Sequence, residues 1–401
     1  MTMEGHFVVK QRHPIQFKTV IRRHLLCLLT VVCFLSGLCR DAIGKERYEF
    51  YNGIRSLGIG GANVAIVNDE TALWTNPAAL GKLRDYFITL ADPEIEVGSE
   101  TSAIAGTDAT MLLDPQDVLD NSLLNPGKRF HMKGQVSPSF VVTNFGFGIL
   151  QKYQSDAFVS DDATTYDYFY REDLAVALGI NFRMFDGKIK IGVSGRGINR
   201  VEVDRDDILP TATGLKFETM EGTETLAREG GGVGADAGLI LTGPWKWLPS
   251  IAAVYKDIGG TTYSLNKGMQ YTTTFRPRRT PATVDAGFSV TPILSNNIRM
   301  TFTAEMTDVM DAIEPADEEE SDEVMRRIHG GVEFNFYDIF FIRGGMNQGY
   351  WTAGLELTFG NSQFQLASYG EEVADIVELD STEKYKTEED RRYVAKYAFR
   401  F

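Results

Sequence analysis

Past Arg84 the chain alternates oily and polar residues with a period of two. Leu174, Val176, Leu178, Ile180, Phe182 and Met184 are interleaved with Ala, Gly, Asn and Arg. Ile298, Met300, Phe302, Ala304 and Met306 alternate with Arg299, Thr301, Thr303, Glu305 and Thr307 in the same way. Trp351, Ala353, Leu355, Leu357 and Phe359 do so with Thr352, Gly354, Glu356 and Thr358. No helix keeps such a pattern on one face, whereas an extended strand does so automatically. The pattern predicts strands over 85–98, 130–142, 145–158, 167–184, 187–202, 231–242, 247–257, 282–292, 296–308, 326–336, 339–346, 350–359, 362–370 and 391–401. That is about fourteen, an even number as in bacterial outer-membrane barrels.

The connections alternate in length. Short turns fall at Asn144-Phe145, Asp186-Gly187, Gly243-Pro244, Ser295-Asn296, Tyr337-Asp338 and Gly360-Asn361. Most of the others are long: 99–129, 203–230, 258–281, 309–325 and 371–390. A barrel with short turns on one side of a membrane and long loops on the other has this layout, and a soluble sandwich gives no reason for it. The expected fold is all-β: a transmembrane antiparallel barrel of about 14 strands, its oily face toward lipid and its polar face toward a wet lumen. Lumen-facing candidates are Lys190, Arg196, Asp236, Asp285, Arg299, Glu305, Glu333, Glu356, Lys396 and Arg400. Both signs are present, so ion pairs across the interior are expected, and the inward Gly179, Gly192, Gly234, Gly238 and Gly287 leave room for something inside.

The stretch Arg55 to Gly81 is different. Gly58, Gly60 and Gly61 form a glycine-dense turn, Val64 to Ile66 an apolar run, and Asn68 to Glu70 a polar break before Asn76-Pro77-Ala78. Asn76 is suited to cap a helix that starts at Pro77, with Gly81 ending it in a left-handed conformation. Too short for a core of its own and placed before the first strand, the segment is expected inside the barrel. The chain thus divides into a signal peptide (1–44), a hatch or plug (45–84) and the barrel (85–401).

The first of these rests on Leu25 to Leu38, an apolar run of signal-peptide length preceded by Arg22, Arg23 and His24, with Ala42 and Gly44 as a cleavage site. The three cysteines, Cys27, Cys33 and Cys39, lie in or beside it, so the mature chain has no thiol or disulfide chemistry. Residues 1–44 carry a net charge of +4, which leaves −19 of mature charge behind a total of −15. That acidity argues against nucleic acid as a partner. Much of it sits in the loops: Asp204, Asp206 and Asp207, then Asp317 to Asp322, then Glu371 to Asp390.

Catalytic motifs are lacking. His131 and His329, the histidines of the mature chain, do not have metal-site spacing, and Gly192 to Arg196 misses the nucleophile elbow because Arg196 replaces its last glycine. Gly58 to Asn63 fails the dinucleotide fingerprint at its last position. No catalytic residue, metal or cofactor is expected. The chain ends with Tyr393, Tyr397, Phe399 and Phe401 on one face of a strand, and Tyr397, Phe399 and Phe401 resemble the sorting signal read by the barrel-assembly machinery of Gram-negative bacteria. An outer-membrane location follows, with outer-membrane lipids and that machinery as partners.

Arg55, Leu57-Gly58-Ile59-Gly60-Gly61-Ala62, Asp69, Ala72-Leu73-Trp74 and Asn76-Pro77-Ala78-Ala79-Leu80 resemble the N-terminal hatch of the FadL/TodX superfamily of fourteen-stranded outer-membrane barrels. The run is at least as similar to the PorV/PorQ branch, which shares the Asn-Pro-Ala signature. The resemblance implies a hatch in which Gly58, Gly60, Gly61, Asn76, Pro77 and Ala78 lie, with Val64, Ile66, Leu73 and Trp74 lining an apolar pocket beneath it. It implies transport of small hydrophobic molecules such as long-chain fatty acids. In the PorV branch it implies instead a barrel that passes nothing and docks a secreted or periplasmic protein. The acidic loops depart from the hydrophobic capture loops of the fatty-acid members. Met111 to Leu124 is the exception, where Asp114-Pro115 starts a helix presenting Val118, Leu119 and Leu123, either as a capture surface or simply as a loop helix capping the barrel.

Overall fold

In the computed structural model, residues 49–101, 114–208, 227–265, 269–271, 273–295, 297–310, 326–373 and 388–401 are described, all within one compact unit. The signal peptide, the first residues of the expected plug, Asp317 to Asp322 and most of 371–390 lie outside the described residues.

Fourteen antiparallel strands close into a barrel. They are β1 (Phe87–Ala91 and Glu94–Gly98), β2 (Arg129–Val136 and Ser139–Val142), β3 (Phe145–Val159), β4 (Thr165–Met184), β5 (Ile189–Ile208), β6 (Arg228–Thr242) and β7 (Ser250–Lys256). The circuit continues with β8 (Thr283–Val290), β9 (Ile298–Met306), β10 (Ile328–Phe336), β11 (Phe340–Asn347), β12 (Tyr350–Phe359), β13 (Ser362–Glu372) and β14 (Glu389–Arg400). Each strand pairs with its sequence neighbours, and β14 pairs with both pieces of β1, so no edge is left open. The short turns reverse the chain through left-handed residues, as at Tyr337 and Asp338, where two successive positive φ angles match the twist of the flanking strands.

The alternation sorts as expected. Leu174, Val176, Leu178, Ile180, Phe182 and Met184 are exposed on the outer face, as are Leu355, Tyr397 and Phe401. Trp245 and Trp247 stand exposed at one short turn, and Trp351 lies at the long-loop end with the Arg391 guanidinium 3.9 Å above its ring. An apolar band flanked by aromatic side chains is the lipid-facing surface of an outer-membrane protein, and no described helix is long and apolar enough to cross a membrane.

Two expectations are corrected, and one left open is decided. The hairpin β4–β5 runs six residues further on its second strand than 187–202, so Asp204, Asp206 and Asp207 lie on a strand and not in a loop. It extends because its outer face has something besides lipid to bury against: Tyr166, Tyr168, Tyr170, Val201 and Val203 form a cluster with Phe130, Ala157 and Val118. The last belongs to α3 (Pro115–Leu123), the helix that Asp114 caps through the Gln116 and Asp117 amides. Val118 is fully buried and Leu123 packs against the same cluster, so of the two roles expected for this helix it takes that of a cover on the barrel's outer rim; Met111 to Leu113 lie outside the described residues. Gly81 does not end a helix in a left-handed conformation; it lies within a 3₁₀ helix, Pro77–Lys82. A glycine is needed there because a Cβ would run into the Asn181 side chain.

Candidate functional site

The segment ahead of β1 fills the middle of the lumen. It contains α1 (Ile54–Gly58), α2 (Ala72–Thr75) and the 3₁₀ helix Pro77–Lys82. Gly60 and Gly61 both take φ near +85°, which turns the backbone so that it rests on the backbones of β10 and β11; a Cβ at Gly60 would meet the Met346 nitrogen at 2.7 Å. Asn76 is fully buried and ties the segment to itself. Its Oδ1 accepts from the Ala78 amide at 3.0 Å, and its Nδ2 donates to the Val64 carbonyl at 3.2 Å.

The wall makes room where its glycines point inward. A Cβ at Gly192 would strike Pro77, one at Gly238 the Asn76 side chain, one at Gly179 Leu73, and one at Gly287 Ala65. Gly234 faces Thr261 and Asp257 instead. Polar contacts fix the plug in register. Wall carboxylates accept plug amides, Glu305 from Val64 at 2.7 Å and Glu94 from Ile54 at 3.3 Å. Arg55 bridges Asp69 at 2.8 Å and Glu333 at 2.9 Å, and Arg400 reaches Glu70 at 2.7 Å. Burial alone would push the Asp69 carboxyl up, but the Arg55 guanidinium and the Thr71 hydroxyl bring it down to about 2.

The inward charges pair as expected: Arg196 with Asp236 and Asp257, Lys256 with Asp285, Lys396 with Asp92, and Arg343 with Glu333 and Glu356. Arg299 is the outlying member, exposed beside Asp338. His131 is enclosed between Glu96 and Asp156, in a network with Lys133. His329 faces the Gly60 carbonyl at 3.2 Å. His131 thus belongs to a charged network of the wall, and His329 to the seat of the plug.

Two regions of the interior bear on function among the described residues. One is an aromatic cluster against the plug. Trp74 lies with Leu73 against Leu150, Ala175, Ala177 and Ile198 of the wall and Tyr263 of a long loop. The Tyr51 ring stacks on Trp74 at 6.1 Å and the Phe50 ring tilts against it at 6.2 Å. Arg196 sits 4.6 Å over the Phe50 ring, and Arg200 caps Tyr263 at the same distance. The other region is a cavity of about 1000 Å³ toward the short-turn end, lined by charged side chains such as Arg55, Lys82, Lys190, Glu356 and Arg400.

The ten expected plug residues are thus distributed. Gly58, Gly60 and Gly61 contact β10 to β12, and Asn76, Pro77 and Ala78 contact β4 to β6. Of the four apolar ones, Leu73 and Trp74 share the aromatic cluster, Val64 packs against Val141, Ile240 and Val254, and Ile66 lines the charged cavity. The structure does not bring all four together. Phe50, Tyr51, Ala175 and Ala177 are the partners that sequence reading missed. Small inward residues on β4, where other strands carry charges, were the available signal. Tyr397 and Phe401 face outward, and the Phe401 amide and carbonyl both pair with Ile88 to close the barrel.

The wall has one seam near this cluster. β1 is interrupted at Asp92-Pro93 and β2 at Ser137-Pro138, where neither proline has an amide hydrogen for the ladder. Asp92 takes over, accepting the Ser137 amide and, at 2.6 Å, its hydroxyl, with Lys396 Nζ at 2.9 Å. The buried Tyr51, Thr89 and Ser139 hydroxyls have no hydrogen-bond partner among the described residues.

This is the architecture of a bacterial outer-membrane barrel with an internal plug, the FadL/TodX type of fold. The chain is similar in structure to the Pseudomonas putida toluene transporter TodX, at TM-score 0.50 and 12% identity over 89% of this chain and 99% of that one. It is similar to the Ralstonia pickettii toluene transporter TbuX at TM-score 0.49 and 14% identity, over 87% and 98%. A Pseudomonas aeruginosa FadL homologue matches at TM-score 0.45 and 10% identity, over 90% and 98%. No family model matches the chain, and no curated protein matches it in sequence.

Proposed function

We propose that this barrel binds small hydrophobic molecules in its lumen and passes them across the outer membrane by binding and release, without covalent chemistry. The observation that carries this reading is the aromatic cluster around Trp74, where plug and wall bring Phe50, Tyr51, Trp74 and Tyr263 together against small apolar wall residues. The toluene-transport property of TodX joins it only as support from a similar fold.

The energetics suit passage. An aromatic guest buries about 200 Å² of surface, worth about 5 kcal/mol at ~25 cal/mol per Å². Phe50 is half-buried against Trp74 and must swing out to admit it, and its re-exposure offsets part of that gain. Binding is then weak enough to release. The charged cavity offers an apolar guest nothing, so the exit that fits is sideways. The seam at Asp92 and Ser137 is held by one carboxylate instead of a continuous backbone ladder, and Ser139 packs within reach of Trp74 across Gly148.

A second reading is a PorV-like scaffold that passes nothing and docks a secreted or periplasmic protein. The backbone-close seating of the plug on Gly192 and Gly238 favours it, because that contact leaves the plug no room to move. Proteoliposome uptake of labelled toluene and of a labelled long-chain fatty acid separates the two. Trp74→Ala and the bulkier Ala177→Trp are each expected to lower uptake at least tenfold while heat-modifiable gel mobility stays that of a folded barrel. Uptake indifferent to both substitutions rules out transport through this cluster.

A further inference from the structure

At the short-turn end of the lumen the positive charges outnumber their partners. Around the charged cavity, Arg55, Arg343, Arg299, Arg400 and Lys396 each hold a carboxylate. Lys82, Arg183 and Lys190 do not, and neither does the exposed Arg84, among the described residues. Lys82 Nζ donates to the Ala65 carbonyl at 2.6 Å, and Lys190 Nζ to the Gly187 carbonyl. These bonds fix where the ammonium groups sit and leave their charge uncompensated. Arg183 and Lys190 are cross-strand partners on β4 and β5, and Gly81 brings the plug's 3₁₀ helix against the Arg183 side chain. Asp85 and Asp186 also line the cavity, but both are exposed and bond to none of the three.

On this cavity the Lys190 charge repels both the Lys82 and the Arg183 charge. Burial, the Lys190 charge and the Arg55 charge together bring the Lys82 ammonium down to about 7, with Asp69 opposing them. Cations held in such an arrangement by backbone carbonyls are a preorganised receptor for a negative ligand.

We propose that Lys82, Arg183 and Lys190 form an oxyanion-binding subsite at the short-turn mouth of the barrel, taking a phosphate group. The group comes either from free phosphate or from the headgroup of a short phospholipid entering the cavity from the membrane side. The cavity, of about 1000 Å³, is large enough for either. The site is independent of what crosses the wall near Trp74: it lies beyond the plug from the aromatic cluster and uses none of its residues.

Isothermal titration of the full chain in detergent at low ionic strength, with inorganic phosphate and with dihexanoyl phosphatidic acid, tests this. Saturable phosphate binding is expected, weakened at least tenfold by Lys82→Met with Lys190→Met and kept within threefold by Lys190→Arg. Arg183→Gln, an exposed change that leaves packing intact, is expected to weaken it at least threefold. Tighter binding of the lipid than of free phosphate assigns the headgroup, and equal binding assigns the free anion. Absence of saturable phosphate binding, or binding unchanged in Arg183→Gln and in the double lysine variant, overturns the proposal.

Discussion

The two regions that the plug borders are built by neighbouring residues on the same strands yet have opposite chemistry. On β4, Ala175 and Ala177 face the Trp74 cluster, and a few residues further Arg183 faces the charged cavity. On β5, Ile198 belongs to the first region and Lys190 to the second. Strand geometry fixes only that these side chains point inward. What each meets there is set by the height of the plug: Trp74, Tyr51 and Phe50 at one level, Lys82 at the other. A single polypeptide segment therefore divides one lumen into an aromatic region and a charged one.

The division is broken most severely by removing the plug's seat. Gly238→Val puts a side chain where Asn76 lies, and should cost about 3 kcal/mol of stability through overpacking. Gly195→Val, whose new Cβ meets nothing within 4 Å, is the matched control and should unfold in guanidinium at the parent midpoint. A shared shift in both variants would show that the loss reflects strand propensity and not the seat.

A smaller effect is expected at the seam. Asp92→Ala removes the acceptor of the Ser137 amide and hydroxyl and the partner of Lys396. Leaving those donors unpaired costs about 1–3 kcal/mol, and uptake of a hydrophobic probe should rise severalfold if the seam is the exit. Reduced stability with unchanged uptake would move the exit elsewhere.

The smallest effect separates the compartments by pH. Sulfate keeps its charge across neutral pH, so any change in its binding reports the protein. Because Lys82 is brought down to about 7 from 10.5, it is charged below that pH and increasingly neutral above it. Sulfate affinity should be full below about 7 and fall as pH rises through it, while retention of a hydrophobic probe near Trp74 stays flat. A sulfate profile level from pH 6 to 9, within about 20%, would remove Lys82 from the subsite.

Much of this was legible in the chain. The period of two and the alternating connection lengths define a closed barrel, because lipid outside and water inside leave an antiparallel strand one way to face. Inward glycines announced a filled lumen, and Asn76-Pro77 announced a capped helical turn. The far end of β5 was misjudged, because nothing local says that Val201, Val203 and the tyrosines beside them will be covered by α3 and not by lipid.

By itself the sequence determined which side chains face in, which face out, and that charges of both signs must share the interior. Only the tertiary structure decided which charge found a partner, since Arg55 meets Glu333 across 278 residues and Lys82 meets no carboxylate at all among the described residues. Alternation is a local property fixed by the backbone. Pairing across a lumen depends on where the plug comes to rest, and that is settled by close approach of backbones at Gly192 and Gly238, which no local pattern encodes.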